Sequence, residues 1–414
     1  MIATRSSNQL RLLVVNPELP TFDRTSGGLR LFTLMTLLSE QSDVKCDYLV
    51  PSRQSEVTRL GELEVNRYVA KMAAHGISFH SGSVSKHLRT NNYDAILFEF
   101  FSSAVHNVNT VRTLQPDATL VVDSVDLTYK RWIAMADLTG LQADRIKAIQ
   151  IERQELGVYA LSDLVLTLTD DESNELSQRL PDLRTFEIPN IHSIPNIRRA
   201  ESKAPSVLFI GSFTHEPNVD GAKWLAREIW PRVVAVRPDA RLQIVGQRPP
   251  VDLLPQDSYG IEVLGHVMST EPYLEGAWVS VAPLRFGAGM KGKVGEAMAY
   301  ALPVVTTQFG AQGYKLESGV SAFVMDTSEG FAEAILKLID NDELRRSVGA
   351  AGHRIVQEAF SRDAMASRIP ALVEAIRSSR PTRRTDFISM RRLALQASQL
   401  WNEHFAWRFR KSSK

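Results

Sequence analysis

The residues best suited to chemistry lie in one stretch, Ala282-Pro-Leu-Arg-Phe-Gly-Ala-Gly-Met-Lys-Gly-Lys-Val-Gly-Glu-Ala-Met-Ala299. Its glycines Gly287, Gly289 and Gly292 let backbone N–H groups approach a ligand closely. Arg285, Lys291 and Lys293 bring up to three positive charges, and the start of the following helix adds about half of one more. That combination suits a diphosphate. Glu296 stands one turn into the helix, where a carboxylate either offsets the helix dipole or accepts hydrogen bonds from a ribose diol.

Two familiar patterns overlap here, and each lacks a part. Gly287-x-Gly289-x-x-Gly292 matches a dinucleotide fingerprint, but the next strand, Pro303 to Gln308, ends without the acid that would hold a ribose. Gly287-x4-Gly292-Lys293 matches most of a phosphate loop, but Val294 stands where Ser or Thr would hold magnesium. The plainer reading is a Gly-rich connection carrying solvated lysines.

The elements around this stretch set its place. Apolar runs at Arg11–Asn16, Cys46–Val50, Ala95–Phe98, Thr119–Val122 and Leu164–Leu168 alternate with helical patterns. Their continuous apolar character fits parallel strands buried on both faces. After a polar, basic linker at 193–205 the pattern restarts: Val207–Ile210, Arg241–Val245, Glu262–Gly265, Trp278–Pro283 and Pro303–Thr306. Helices are expected at Asp220–Val236, Lys293–Ala301, Ser328–Asp340, Asn341–Phe360 and near Arg362–Ile376. This predicts an α/β chain of two Rossmann-like doubly wound domains facing each other across a cleft, 1–195 and 204–376, followed by a basic tail at 377–414. In such sheets ligands bind beyond the carboxyl ends of the strands.

The chain has 414 residues, long enough for two domains. Its 48 Lys+Arg nearly balance 47 Asp+Glu. The balance hides an acidic body and a tail in which ten Arg and Lys face only Asp386 and Glu403. Cys46 is the single cysteine, which excludes an internal disulfide and a cysteine-based zinc site. No His, Asp and Glu cluster has metal spacing, so no metal and no cofactor is expected. The apolar runs are strand-sized, which leads to the expectation of a cytoplasmic protein. The tail, with Trp401 and Trp407 among arginines, could lie on an anionic membrane surface at the inner face through residues 381–414, or pack back on the N-terminal domain. The acidic body argues against a nucleic-acid partner.

Five segments in order carry a more specific likeness: Phe209-Ile-Gly-Ser-Phe-x3-Pro-Asn-Val-Asp220, Leu242-x-Ile-Val-Gly246, Val263-x-Gly-His-Val267, the stretch 282–299, and Pro303-Val-Val-x-Thr-x2-Gly-x2-Gly313. Together they resemble the donor half of GT-B glycosyltransferases, most closely the retaining family-four group that uses nucleotide sugars. The resemblance implies that Glu296 holds the nucleotide ribose. It implies that Gly265, His266 and Val267 present the base-binding loop, with Gly211 and Gly246 at neighbouring strand ends. Gly287, Ala288, Gly289, Met290, Lys291 and Lys293 would bind the diphosphate and sugar. Two departures stand out. The earlier Glu common in the family falls at Ala288 or Phe286, and the loop Ser212 to Asp220 lacks the family's basic pair. Arg285, Lys291 and Lys293 would then supply the positive charge.

The N-terminal half resembles the family more weakly. Ser26-Gly27-Gly28 is similar to the glycine loop over the donor phosphate, the plainer alternative being an ordinary strand-to-helix turn. Val122-Asp-Ser-Val-Asp126 is similar to the segment where a His commonly precedes the Asp. Here that place is Val125, which leaves Asp126 as catalytic candidate or as a helix N-cap. Pro189-Asn-Ile-His192 is similar to the interdomain junction, with His192 and His266 read as structural or hydrogen-bonding groups.

The expected activity is transfer of a sugar from a nucleoside-diphosphate sugar to a hydroxyl of a glycan or lipid-linked acceptor, with retention and without metal. Asp126, Arg285 and Lys291 are the catalytic candidates. A non-catalytic nucleotide-sugar-binding subunit and a GT-B-fold sugar phosphorylase or epimerase are the other readings left open.

Overall fold

The computed structural model describes residues 9–198, 201–253 and 259–379. The tail at 381–414, with its expected membrane role, lies outside the described residues. The chain forms two compact units. One gathers the residues up to Tyr129, then Arg145–Pro189, then those from Ala366 onward; the other gathers Lys130–Asp144 and Asn190–Met365.

The first unit is built on seven parallel strands: β1 Leu10–Val15, β2 Val44–Val50, β3 Ser78–Ser81, β4 Ala95–Glu99, β5 Thr119–Asp123, β6 Leu164–Thr167 and β7 Thr185–Glu187. Their order is β3-β2-β1-β4-β5-β6-β7, so the chain reverses its direction of winding between β1 and β4. The central strands β4, β5 and β6 are buried throughout, as their unbroken apolar sequences require. The helix Ile369–Ser378 returns to this unit, where Thr119 Oγ1 donates to the carbonyls of Ile376 and Ser379 and Arg377 pairs with Asp43 at 2.7 Å. The expected helix over Arg362–Ile376 is two pieces, Arg362–Ala366 and Ile369–Ser378. Pro370 starts the second because it cannot continue the first.

Within this unit Arg30 is fully buried and forms a two-pronged pair with Asp123, at 2.6 and 3.0 Å. Its guanidinium also donates to the carbonyl of Ile188 at 2.8 Å. The pair fastens the helix Ser26–Ser39 to the end of β5. Losing one partner would strand a buried charge, at about 3–5 kcal/mol.

The second unit has six parallel strands: β8 Ser206–Ile210, β9 Arg241–Val245, β10 Ile261–Gly265, β11 Val279–Ala282, β12 Val304–Thr306 and β13 Phe323–Val324. Their order is β10-β9-β8-β11-β12-β13, with the reversal between β8 and β11. Val207, Phe209, Ile244, Val281, Trp230 and Phe331 form its core. The expected helix over Asp220–Val236 begins earlier, at Glu216, and passes through a wider π turn at Leu225–Ile229. Among the described residues no helix is long and apolar enough to cross a membrane.

Candidate functional site

The reversal point of the second sheet opens beyond the carboxyl ends of β8 and β11, and both connections there carry the polar residues of interest. After β8 the chain turns at Gly211 and enters the helix Glu216–Trp224. After β11 it runs from Pro283 to Lys291 and enters the helix Gly292–Ala299. Lys291 is the N-cap of that helix, and no side chain caps it. The two glycines of the loop, Gly287 with φ 147° and Gly289 with φ 67°, adopt backbone conformations that other residues rarely reach.

Lys293, in the first turn of the helix after β11, reaches across to the helix after β8. Its amine donates to Asn218 Oδ1 at 2.6 Å and lies 4.5 Å from the centre of the Phe209 ring. Asn218 is oriented by its own amide, which donates to the carbonyl of Ser212 at 2.8 Å. Desolvation, reinforced by the charge of Lys291, lowers the Lys293 pKa to about 7. Gly211 makes room for this amine, since a side chain there would stand 2.7 Å from Lys293 Nζ.

Lys291 folds back on its own loop, donating to the carbonyls of Ala288 at 2.8 Å and Gly289 at 2.5 Å. Arg285 is engaged differently: its guanidinium grips both carboxylate oxygens of Asp220 and lies over the Trp224 ring. Its charge is therefore balanced within the protein, and Lys291 also lies 3.4 Å from the side-chain oxygen of Gln312. Glu296 accepts a hydrogen bond from Thr270 Oγ1 at 2.9 Å. Burial raises its pKa, against the opposing effects of Thr270 and Lys293.

Of the remaining sequence candidates, Gly246 serves the packing of strand ends: a side chain there would collide with the Gly211 carbonyl at 1.9 Å. Gly265 follows the same line, its carbonyl accepting from Gly246 N at 2.8 Å. His266 is exposed beside it, with Val267 half-buried. Ala288 and Met290 lie in the loop itself, Met290 buried. Lys291 with Ala288 and Gly289, and Lys293 with Asn218 and Gly211, thus make up this cluster, the two lysines acting on each other through their charges.

Asp126, Gly27 and Gly28 belong to the first unit. Asp126 follows Val125, a β-branched residue at φ 59°, a strained conformation worth about 1–3 kcal/mol. Asp123 Oδ1 steadies that turn by accepting from Val125 N at 3.3 Å. The carboxylate of Asp126 accepts from Thr128 Oγ1, but the first amides of the helix Thr128–Thr139 donate to Glu155 instead, at 3.0 and 2.8 Å. Gly27 and Gly28 lie inside the first turn of the helix Ser26–Ser39, whose N-cap is Thr25.

Sequence reasoning passed over Thr270 and Tyr314 and gave Asn190 no site role, yet all three reach this cluster or its neighbours. Only Asn190 carried a signal, as part of the Pro189–His192 segment. Among the described residues no group of three or more His, Cys, Asp or Glu side chains could hold a metal ion.

Known proteins share parts of this sequence and its fold. Residues 204–341 match the family model described as glycosyl transferases group 1. An uncharacterized 44.6 kDa protein in the cps region of Klebsiella pneumoniae is 21% identical over 164 residues, covering 37% of this chain and 42% of that protein. The match thus spans about two fifths of that relative's length. Sucrose-phosphate synthase from Thermosynechococcus elongatus aligns with a TM-score of 0.64 at 14% identity, over 88% of this chain and 98% of that one. S. aureus TarM aligns at 0.66 and 11% identity, over 89% and 99%. Anabaena HepE with UDP-glucose aligns at 0.62 and 13%, over 89% and 100%. The fold is therefore that of the GT-B glycosyltransferases.

Proposed function

We propose that this chain, a glycosyltransferase of the GT-B fold, transfers a sugar from a nucleoside-diphosphate sugar to a hydroxyl of a glycan or glycolipid acceptor, with retention and without a metal ion. One observation carries the reading: two lysines and an uncapped helix start converge beyond the carboxyl ends of β8 and β11. A reversal point is where doubly wound sheets bind ligands, and this one is chemically built for an anion. The group 1 match spans these residues. HepE, similar in fold, has been described with UDP and UDP-glucose.

In this mechanism the bond from the anomeric carbon to the diphosphate oxygen breaks, and a bond to the acceptor oxygen forms. The acceptor proton passes to the departing diphosphate oxygen. The protein's task is to stabilise that oxygen as charge develops on it. Lys291 exchanges its carbonyl partners for phosphate oxygens, Lys293 adds its charge from the Asn218 side, and the N-terminal amides of the helix Gly292–Ala299 complete the cradle. Glu296 receives the ribose hydroxyls, with Thr270 holding its carboxylate. Arg285, balanced by Asp220, braces the loop.

A thermal-shift screen of the full chain with nucleoside diphosphates and sugar nucleotides identifies the donor, followed by turnover of Lys291→Ala and Glu296→Ala. Each variant is expected to lose at least about tenfold in rate, roughly 1.4 kcal/mol of barrier. Near wild-type rates in both would remove the assignment of this loop.

A further inference from the structure

We propose that Asn190 and Tyr314 are positioning residues of the donor loop, holding the carbonyls of Met290 and Lys291 so that the following N–H groups face the diphosphate. The inference rests on the donor-site reading above and concerns how that site is kept in shape.

Asn190 Nδ2 donates to the Met290 carbonyl at 3.1 Å, and Tyr314 Oη donates to the Lys291 carbonyl at 3.1 Å. Both side chains are buried, Asn190 at 5% and Tyr314 at 1% exposure. A trans peptide is planar, with its C=O and N–H pointing in opposite directions. Fixing the Met290 carbonyl therefore fixes the N–H of Lys291, and fixing the Lys291 carbonyl fixes the N–H of Gly292. These are the amides at the start of the helix Gly292–Ala299, where an anion would be met.

The Tyr314 hydroxyl is itself placed by His192, whose Nε2 lies 3.0 Å from Oη. With the hydroxyl proton directed at Lys291, the Nε2–H tautomer of His192 would donate in that contact. Burial lowers the His192 pKa to about 4 and keeps the ring neutral, so only one ring nitrogen carries a proton. The backbone N–H of His192 donates to the Phe360 carbonyl at 2.8 Å, and the Tyr314 ring packs edge-on against Phe360 at 5.2 Å. Gly295 closes the arrangement. A side chain there would stand 2.1 Å from His192 Nε2 and 2.6 Å from Tyr314 Oη, so the helix backbone rests directly on the pair.

The test compares ligands that differ only in their phosphates. Full-length wild type, Tyr314→Phe and Asn190→Ser are titrated with UDP, GDP and ADP and with the matching nucleosides. Tyr314→Phe keeps the ring against Phe360 and deletes only the hydroxyl. For the diphosphate that wild type binds, each variant is expected to weaken binding tenfold or more while nucleoside affinity stays within twofold. Unchanged diphosphate affinity overturns the inference and leaves the donor site standing. Equal losses for nucleoside and diphosphate also overturn it, assigning the pair a general structural role. A wild type that binds none of the three diphosphates overturns the donor-site reading and this inference with it. Should both variants fail to fold, amide exchange on wild type decides: the diphosphate is expected to slow exchange at Lys291 and Gly292, and no slowing overturns the proposal.

Discussion

Asp220 holds Arg285 by the Nε and Nη2 donors on one edge of its guanidinium, across 65 positions of sequence, and the pair fastens the loop after β11 to the helix after β8. The side chains are 21% and 37% exposed, so solvent screens the charge and leaves the geometry as the main contribution. In a double-mutant cycle of Asp220→Ala and Arg285→Ala, the pair is expected to show a coupling of about 1 kcal/mol, at the upper end for exposed pairs because the contact is two-pronged. Urea unfolding of the four proteins measures it. Additive losses would show that the two residues act separately.

In the proposed donor site, Lys293 is expected to make diphosphate binding depend on pH. Its amine has a pKa of about 7 in the free protein, because it is desolvated beside Lys291. A bound diphosphate favours the ammonium and raises that value. Between about pH 7 and the raised value, the complex holds more protons than the free protein, so affinity falls as pH rises, by up to about tenfold per unit. Below pH 7 this dependence is absent. Calorimetric titration at pH 8 in buffers of different ionisation heat should report uptake of nearly one proton by wild type and none by Lys293→Met. Equal heats across buffers for wild type would refute the assignment.

The parts of the fold that showed in the sequence are those fixed by continuous apolar runs. The central strands β4, β5 and β6 could be read because each is buried on both faces. The edge strands β3, β7 and β13 are short and largely polar or partly exposed, so no periodicity marks them. The same division runs through the site. Glycines and lysines crowded between Arg285 and Glu296 are what make an anion site legible as an expectation from the sequence. That Arg285 is already neutralised by Asp220 is a contact between distant positions, invisible to spacing. Thr270 and Tyr314 are ordinary residues by type, and acquire their roles only where the fold brings them to Glu296 and Lys291. Glycines show a further ambiguity. A side chain at Gly28 would strike the Thr21 backbone at 2.8 Å, whereas one at Gly27 would meet nothing within 4 Å. Adjacent identical residues thus answer to different constraints.

The first unit's reversal point contains a carboxyl whose ionisation is linked to stability. Glu99, at the end of β4, is 3% exposed and accepts a hydrogen bond from Asn16 at the end of β1. Burial first, and then the charge of Asp123, push its pKa up to about 8, against the opposing pull of Arg30 and Asn16. The next residue, Phe100, is held at φ 67°, so the strand end is strained as well as polar. An unfolded Glu loses its proton near about 4.3. The native state therefore binds more protons than the unfolded chain between about pH 4.3 and 8, and this group's contribution is lost as pH rises through that window. Glu99→Gln keeps an oxygen for Asn16 and removes the titration. Thermal melts from pH 5 to 8 are expected to show wild type losing at least about 1 kcal/mol relative to the variant, since a tenfold difference in proton affinity between the folded and unfolded chain is already worth about 1.4 kcal/mol. Parallel profiles for the two proteins would mean that Glu99 is ionised in the folded state throughout, with Arg30 close enough to compensate two carboxylates at once.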